Sequence, residues 1–265
     1  MNHFPHPPSP SLLSLAVTYV AEHPILRENA LNLAKKLQLN MVEPAEKQKN
    51  DLLLIYTEAG LQLQLSGNTK GTLHVDFSSG AMTYRRLHGG GIKQPLAKAV
   101  GIKPGKRPFI LDATAGLGSD AFLLATLGCR VCMVERSPLL AALLQDGMQR
   151  AAADRELQEI MAHRLTLLQG DARILIEGLT ERPDTIYMDP MYPHRRKAAL
   201  NRQEMRIIRS IVGTDEDADE LLRTALRHAD KRVVVKRPKG APQIADRAPT
   251  HVISMKNSRY DVYMV

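Results

Sequence analysis

The segment Asp112-Ala-Thr-Ala-Gly-Leu-Gly-Ser-Asp120 contains the residue types of a nucleotide-binding loop. An apolar stretch precedes it and an apolar, helix-forming stretch follows it, which predicts a strand, a turn and a helix. Gly116 and Gly118 let the backbone turn sharply and come close to a ligand, and the first N–H groups of the following helix are available to bind one. The segment therefore predicts a site for a nucleoside-containing cofactor.

The charge at the end of this strand indicates which cofactor. Gly116, Gly118 and Ala121 also satisfy the dinucleotide pattern G-x-G-x-x-A, which is a weak signal by itself. Asp112 would face a pyrophosphate at close range, which is unfavourable, whereas its carboxylate can pair with the ammonium of a methionine moiety. We therefore expect S-adenosylmethionine (SAM) as the cofactor, and an NAD(P)-linked oxidoreductase is the alternative.

Further acids follow the neighbouring predicted strands. Glu135 lies 23 positions after Asp112, where an acid can accept hydrogen bonds from both ribose hydroxyls of a nucleoside. Asp171 follows a third strand and is placed to contact an adenine amino group. Together with Asp189, these acids lie at the carboxyl ends of predicted strands, where open α/β sheets bind their ligands.

Asp189-Pro-Met-Tyr-Pro193 follows the apolar segment DTIYM and resembles the Asp/Asn-Pro-Pro-Tyr/Phe motif of methyltransferases that act on exocyclic base nitrogens. Such an amine is a poor nucleophile because its lone pair is delocalised into the ring. Hydrogen bonds from the amine to the Asp189 carboxylate and the Pro190 carbonyl would localise that pair and orient it. Tyr192 offers a flat face on which the base can stack. Met191 stands where the motif has its second proline.

The composition favours a polyanionic partner. The chain has 36 Lys and Arg against 28 Asp and Glu, a net charge of +8 and a pI near 9.5. Four Phe, seven Tyr and no Trp leave few stacking platforms, which favours structured RNA with one exposed base over a long single-stranded groove. The predicted phosphate contacts lie in three basic stretches that flank the motifs: Arg85, Arg86, His194, Arg195, Arg196, Lys236 and Arg237.

The residues give little support for redox, metal or nucleophilic chemistry. Cys129 and Cys132 lie in an apolar predicted strand without a second Cys pair, so we expect neither a redox pair nor a zinc site. Ser119 is not in a G-x-S-x-G motif, and methyl transfer from a sulfonium needs neither a metal nor a covalent intermediate. No apolar run is long enough to span a membrane and no secretory signal is visible, which predicts a cytoplasmic protein. The oligomeric state is left open.

The order of predicted elements indicates an α/β fold. Residues 1–10 are Pro-rich and predicted to be disordered, and residues 11–95 predict a small α+β amino-terminal domain, for which RNA contact is a hypothesis. From residue 96 to 265, apolar strands alternate with helices, which is typical of a parallel sheet with helices on both faces. The acidic segment after Thr214 predicts a helix that begins with acids in its first turn.

From about residue 70 onward the chain resembles the bacterial 16S ribosomal RNA guanine-N2 methyltransferases of the RsmJ type. The blocks that carry the resemblance are VDFSSGAMTYRRLHGGG, DATAGLGSDAF, GCRVCMVERSP, MDPMYPHRRKAAL and KRVVVKRP. The resemblance implies a class I, Rossmann-like SAM-dependent methyltransferase domain that methylates the N2 amine of a guanine in 16S rRNA, in the small ribosomal subunit or a late precursor of it. The residues themselves predict only a base amine, so adenine N6 stays open, as does a non-catalytic RNA-binding role.

The resemblance also implies which residues contact the cofactor. By motif position these are Ser119, Asp120, Glu135, Arg136, Asp171, Ala172 and Asp189. Ser119 stands where the family often has Arg, and the Asp171-Ala172 pair varies, so contacts there are expected to involve the backbone.

Overall fold

The computed structural model describes residues 14–20, 23–65, 68–191 and 217–265. The predictions made for residues 1–10, Tyr192, His194, Arg195, Arg196 and Thr214 therefore lie outside the described residues. The chain divides into two compact units, with the boundary between His74 and Val75.

The first unit is a five-stranded sheet with one long helix. Its strands have the order β2-β1-β3-β4-β5, in which β2, β1 and β3 are parallel and β3, β4 and β5 are antiparallel. The elements are β1 (Leu15–Tyr19), α1 (Pro24–Leu37), β2 (Asn40–Met41), β3 (Leu52–Thr57), β4 (Gly60–Leu65) and β5 (Asn68–His74). Pro24 suits the first turn of α1 because its missing N–H would have no partner there.

The second unit alternates strands and helices as the sequence predicts. Its helices are α2 (Gly80–His88), α3 (Pro95–Ala99), α4 (Ser119–Thr126), α5 (Pro138–Ala152), α6 (Gln158–His163), α7 (Ala172–Glu177) and α8 (Ala218–His228). Its strands are β6 (Ile110–Asp112), β7 (Val131–Glu135), β8 (Leu165–Gln169), β9 (Thr185–Met188), β10 (Arg232–Pro238), β11 (His251–Ser254) and β12 (Ser258–Met264).

These seven strands form one sheet in the order β11-β12-β10-β9-β6-β7-β8. The five strands from β10 to β8 are parallel, and β12 runs antiparallel to β10. The chain leaves β6 to one side through β7 and β8 and returns to its other side through β9, so the strand order reverses between β6 and β9. Ligands of open α/β sheets bind at such a reversal, beyond the carboxyl ends of the strands.

Alternation along the strands decides which side chains share a face. Val233 and Val235 of β10 belong to a buried cluster with Ile186, Met188 and residues of α8. Lys236 projects on the opposite face of β10, as does Val234, because successive side chains of a strand alternate. This face of the sheet contacts α4, since Tyr187 of β9 hydrogen-bonds to Asp120 of that helix.

The elements differ from the sequence prediction in three respects. The second unit begins at Val75 and includes α2, whose Arg85 pairs with Asp120 of α4, whereas the sequence predicted a boundary near residue 95. Helix α2 and strand β11 were not predicted. Among the described residues, no helix is long and apolar enough to span a membrane.

Candidate active site

The loop between β6 and α4 has the backbone that its glycines predict. Gly116 and Gly118 have φ angles of +56° and +72°, a region that glycine adopts at little cost. The Gly116 N–H donates to Glu135 Oε2 at 2.8 Å, and the Ser137 N–H donates to Oε1 of the same carboxylate at 2.8 Å. Glu135 thus holds the glycine loop against the end of β7. The same carboxylate lies at the end of β7, where the sequence predicts a contact with ribose hydroxyls.

Asp112 is a buried carboxylate among other acids. Its side chain is at the end of β6 with the residue 2% exposed, and Oδ1 accepts the Thr114 N–H at 3.2 Å. Burial raises the pKa of Asp112 to about 8, and the nearby Asp120, Asp189 and Glu135 add to this effect. No cation of the described residues pairs with Asp112. A positively charged ligand would fit this group of acids, and a pyrophosphate would not.

Asp189 follows β9 at the point where the strand order reverses. Its N–H donates to Thr114 Oγ1 at 2.6 Å, which joins the Asp-Pro-Met-Tyr segment to the cofactor loop. The Asp189 side chain is 40% exposed, whereas Pro190 is buried. The carboxylate is therefore accessible at the carboxyl end of the sheet, next to the loop on which the cofactor is predicted to bind.

A cation links this carboxylate to α4. Lys236 Nζ donates to Asp189 Oδ2 at 2.7 Å and to Asp120 Oδ2 at 3.0 Å. The Tyr187 hydroxyl also donates to Asp120 Oδ2, at 2.7 Å, and Arg85 pairs with Asp120 Oδ1. Burial by itself would raise the pKa of Asp120, but Lys236 and Arg85 outweigh it and lower this pKa to about 2. The pKa of Lys236 is raised, since Asp189 and Asp120 outweigh its burial.

The third predicted acid has a protein partner. Asp171 begins α7 and accepts the Arg173 N–H at 2.9 Å, and its carboxylate also pairs with the Arg173 guanidinium. The hydrogen bonds from this side chain lower the pKa of Asp171. An adenine amino group would compete with Arg173 for the carboxylate, so a contact through the backbone of Asp171 and Ala172 fits this geometry better. Arg136, also predicted near the cofactor, pairs with Asp217 at 3.1 Å.

Several predicted phosphate contacts are placed differently by the structure. Arg237 is 3% exposed because it shares the face of β10 that Val233 and Val235 bury, so its guanidinium does not meet the surface. Lys236 and Arg85 pair with the acids of the site, and Arg86 pairs with Glu156 at 2.7 Å. For Lys236 and Arg237 we therefore withdraw the prediction of a phosphate contact. Arg85 and Arg86 would have to exchange their present partners to bind one.

Two residues of the site were not predicted from the sequence. Thr114 bridges the cofactor loop and Asp189, and Tyr187 binds Asp120 from inside the sheet. The register of β6 and β9 would have identified Tyr187. Tyr187 is paired with Asp112 across these strands, so it lies beside the cofactor loop. Ser119 is the first residue of α4, directly after the positive-φ Gly118.

The described residues also bear on metal and thiol chemistry. The described ranges hold no group of three or more His, Cys, Asp or Glu that could bind a metal ion. Cys129 and Cys132 are buried free thiols, and burial raises the pKa of both, that of Cys129 to about 12. A thiol with a raised pKa is a poor nucleophile near neutral pH.

Sheet order, glycine loop and strand-end acids together define a class I, Rossmann-like SAM-dependent methyltransferase. The model of the family described as "Putative SAM-dependent methyltransferase" matches residues 32–265, and the chain belongs to this family. SAM is therefore the cofactor, and the NAD(P) alternative is rejected. The ammonium and sulfonium of SAM are cations, which suits the acids around Asp112.

Two relatives that are similar to this chain over most of its length share one name. The chain is 48% identical over 246 residues to ribosomal RNA small subunit methyltransferase J of Desulfotalea psychrophila, which covers 91% of this chain and 94% of that protein. It is 53% identical over 213 residues to the protein of the same name from Aeromonas hydrophila, covering 80% and 86%. The crystal structure of a SAM-dependent methyltransferase from Neisseria gonorrhoeae is 33% identical, with a TM-score of 0.71 and coverage of 94% and 95%.

Proposed function

We propose that this chain transfers a methyl group from SAM to the exocyclic N2 amine of a guanine in 16S rRNA, within the small ribosomal subunit or a late precursor of it. The relatives' shared name, ribosomal RNA small subunit methyltransferase J, supports the class of substrate. The resemblance to the guanine-N2 enzymes supports the base and the atom. We place this activity in the cytoplasm, where ribosomal subunits are assembled.

The observation that carries the proposal is the position of Asp189. Its carboxylate is exposed at the carboxyl end of β9, while its backbone N–H is bound to Thr114 of the cofactor loop. An acceptor nitrogen bound to Asp189 would therefore lie beside the cofactor, as in-line transfer requires. Metal-independent transfer is consistent with this arrangement, because the electrophile is already activated.

Residues at the ends of β6, β7 and β8 are proposed to bind the cofactor. When bound, SAM supplies a methyl group activated by its positive sulfonium. The Asp112 carboxylate would pair with the ammonium of the methionine moiety, Glu135 would accept the ribose hydroxyls, and the backbone of Gly116, Gly118 and Ser119 would line the cofactor. The backbone of Asp171 and Ala172 would contact the adenine, Arg136 would lie at the rim of the same site, and Asp120 would border the site from the first turn of α4.

The acceptor would be held by the Asp-Pro-Met-Tyr segment. We propose that the base amine donates hydrogen bonds to the Asp189 carboxylate and the Pro190 carbonyl, which orients the nitrogen lone pair. The carboxylate would then accept the proton that the amine loses as it is methylated. Tyr192, which lies outside the described residues, is proposed to stack on the base, and His194, Arg195 and Arg196 are proposed to bind phosphate.

Methylation in vitro tests this proposal. Purified protein is incubated with methyl-labelled SAM and either small subunits from a strain lacking the enzyme or deproteinised 16S rRNA, and the nucleosides are then separated. We expect labelled N2-methylguanosine, which Asp189→Ala abolishes while the Kd for SAM changes by less than about tenfold. Label in N6-methyladenosine would instead identify an adenine enzyme. An RNA-binding factor without catalytic activity would transfer no label.

A further inference from the structure

Lys236 lies between two carboxylates of the site. Its ammonium donates to Asp189 at 2.7 Å and to Asp120 at 3.0 Å, and its side chain is 30% exposed. A lysine that binds RNA phosphates would instead extend into solvent. The ammonium of Lys236 therefore binds carboxylates within the site.

The second carboxylate, that of Asp120, is bound by several side chains. The Asp120 side chain is 12% exposed and is also bound by Arg85 of α2 and by the hydroxyl of the buried Tyr187. Side chains from α2, β9 and β10 thus all bind Asp120, which lies in the first turn of α4. Lys236 therefore connects Asp189, which follows the end of β9, to a carboxylate that Arg85 and Tyr187 also bind.

We propose that Lys236 is a positioning residue for methyl transfer. Held by Asp120, its ammonium keeps the Asp189 carboxylate in the orientation in which that carboxylate accepts an N–H of the base amine. This inference rests on the proposed function. Loss of Lys236 would remove the 2.7 Å hydrogen bond that orients the Asp189 carboxylate, and a misplacement of about 1 Å can cost on the order of a hundredfold in rate.

Lys236 also reduces the electrostatic repulsion among the acids of the site. Asp189 lies near Asp112, and both are close to Asp120, so three acids share a small volume. A cation bound to two of them reduces the repulsion that would push the carboxylates apart. Because Lys236 binds the carboxylate and not the RNA, its loss should lower kcat and leave the KM for RNA unchanged.

The test compares Lys236→Met with Lys239→Met. Both substitutions remove one lysine from the end of β10, but Lys239 is exposed and has no place in the site. We expect Lys236→Met to lower kcat about ten- to a hundredfold, with the KM for RNA and the salt dependence of RNA binding unchanged. Lys236→Arg should restore part of the kcat, and Lys239→Met should keep the wild-type kcat.

Coupling to Asp189 separates positioning from a general structural effect. In an Asp189→Asn background, we expect Lys236→Met to lower kcat by less than about threefold, because the group that it positions has already lost its charge. An undiminished effect in that background would refute the inference. So would a raised KM for RNA with kcat unchanged, which would assign Lys236 to a phosphate.

A second variant keeps the inference testable if the first one is unstable. If Lys236→Met does not fold, as judged by its melting temperature, Asp120→Asn removes the anchor and leaves both Lys236 and Asp189. A folded Asp120→Asn variant with reduced kcat supports the inference, and one with the wild-type kcat overturns it. A wild-type protein that methylates no rRNA would refute the proposed function, whereas an active wild type with an equally active Lys236→Met variant refutes only the inference.

Discussion

Asp112 is a carboxylate whose environment differs greatly from solution. Burial raises its pKa to about 8, whereas an aspartate of the unfolded chain titrates near pH 4. Between these values the folded protein holds a proton that the unfolded chain has released. The stability associated with this proton is fully present below about pH 4 and is lost as the pH rises through about 8.

Asp112→Asn tests this environment. The amide cannot ionise, so we expect the free enzyme to lose less stability than the wild type between pH 5 and pH 8. SAM binding at pH 8 should weaken about tenfold or more, since the carboxylate no longer pairs with the ammonium. Denaturant titration across pH and calorimetric titration with SAM measure the two effects.

The control for this variant is Asp230→Asn, which removes an exposed carboxylate outside the site. It should keep the pH dependence and the SAM affinity of the wild type. A wild-type affinity in Asp112→Asn would contradict the proposed ammonium contact.

Gly118 is required for a steric reason that Gly105 lacks. Both glycines have a φ angle of +72°, but a Cβ at Gly118 would lie 2.7 Å from Leu144 Cδ2, 3.2 Å from Phe77 Cζ and 3.3 Å from Met133 Sδ. A Cβ at Gly105 would have nothing within 4 Å. The two positions therefore share the cost of a left-handed backbone and differ in packing.

We expect Gly118→Ala to lower the free energy of unfolding by about 1–3 kcal/mol more than Gly105→Ala does, because overpacking adds to the backbone cost. Denaturant unfolding of the two variants measures the difference. Equal losses of stability would show that the side chains around Gly118 can shift to make room for a Cβ without lowering the free energy of unfolding further.

At the scale of elements, α2 is held to the second unit through its arginines. Arg85 pairs with the largely buried Asp120, whereas Arg86 pairs with Glu156, whose side chain is 72% exposed. A pair with a buried acid stabilises more than an exposed pair, because solvent screens the latter. The two neighbouring arginines thus allow a matched comparison.

We expect Arg85→Gln to speed hydrogen exchange of the α2 amides by about tenfold or more, since it also leaves Asp120 with one cation fewer. Arg86→Gln should change exchange by less than about threefold. Mass spectrometry of peptides covering residues 80–88 provides the measurement. Equal protection in both variants would show that the Arg85 pair does not hold the helix.

Much of the second unit follows from sequence pattern. Apolar runs that end in an acid predicted β6, β7 and β9 with Asp112, Glu135 and Asp189 near their ends, and glycine spacing predicted the loop before α4. These signals are local: strand length, turn residues and charge at a strand end. They were sufficient for the fold class and for the cofactor.

What the sequence did not predict depends on contacts between distant segments. Lys236 and Arg237 were taken as phosphate contacts because they lie in a basic stretch that flanks the motifs. The face of β10 on which each side chain lies and, for Lys236, the carboxylates of Asp120 and Asp189 decide otherwise. Helix α2 was missed because its sequence begins at a glycine, is followed by another glycine and buries no residue fully.

For the whole molecule, charge is the property most relevant to RNA. The net charge of +8 predicts binding that weakens as salt rises, because each neutralised phosphate releases counterions. Arg195 and Arg196 directly follow the motif, and their structure is outside the described residues. We expect Arg195→Ala with Arg196→Ala to weaken RNA binding and to reduce the slope of log K against log salt by about 1.5–2.

Affinity titrations at several salt concentrations test this double variant. Arg223→Ala with Arg227→Ala on α8 is a control with the same change in net charge. An unchanged slope in the first variant, or the same decrease in both, would count against a specific phosphate role for Arg195 and Arg196.

The Asp189 segment is proposed to present a guanine amine of 16S rRNA for methylation. The most direct test is mass spectrometry of 16S rRNA from cells that lack the protein and from the same cells supplied with the wild type or with Asp189→Ala. We expect that one N2-methylguanosine disappears, returns with the wild type and does not return with Asp189→Ala. An rRNA methylation pattern that is the same in all of these cells would contradict it.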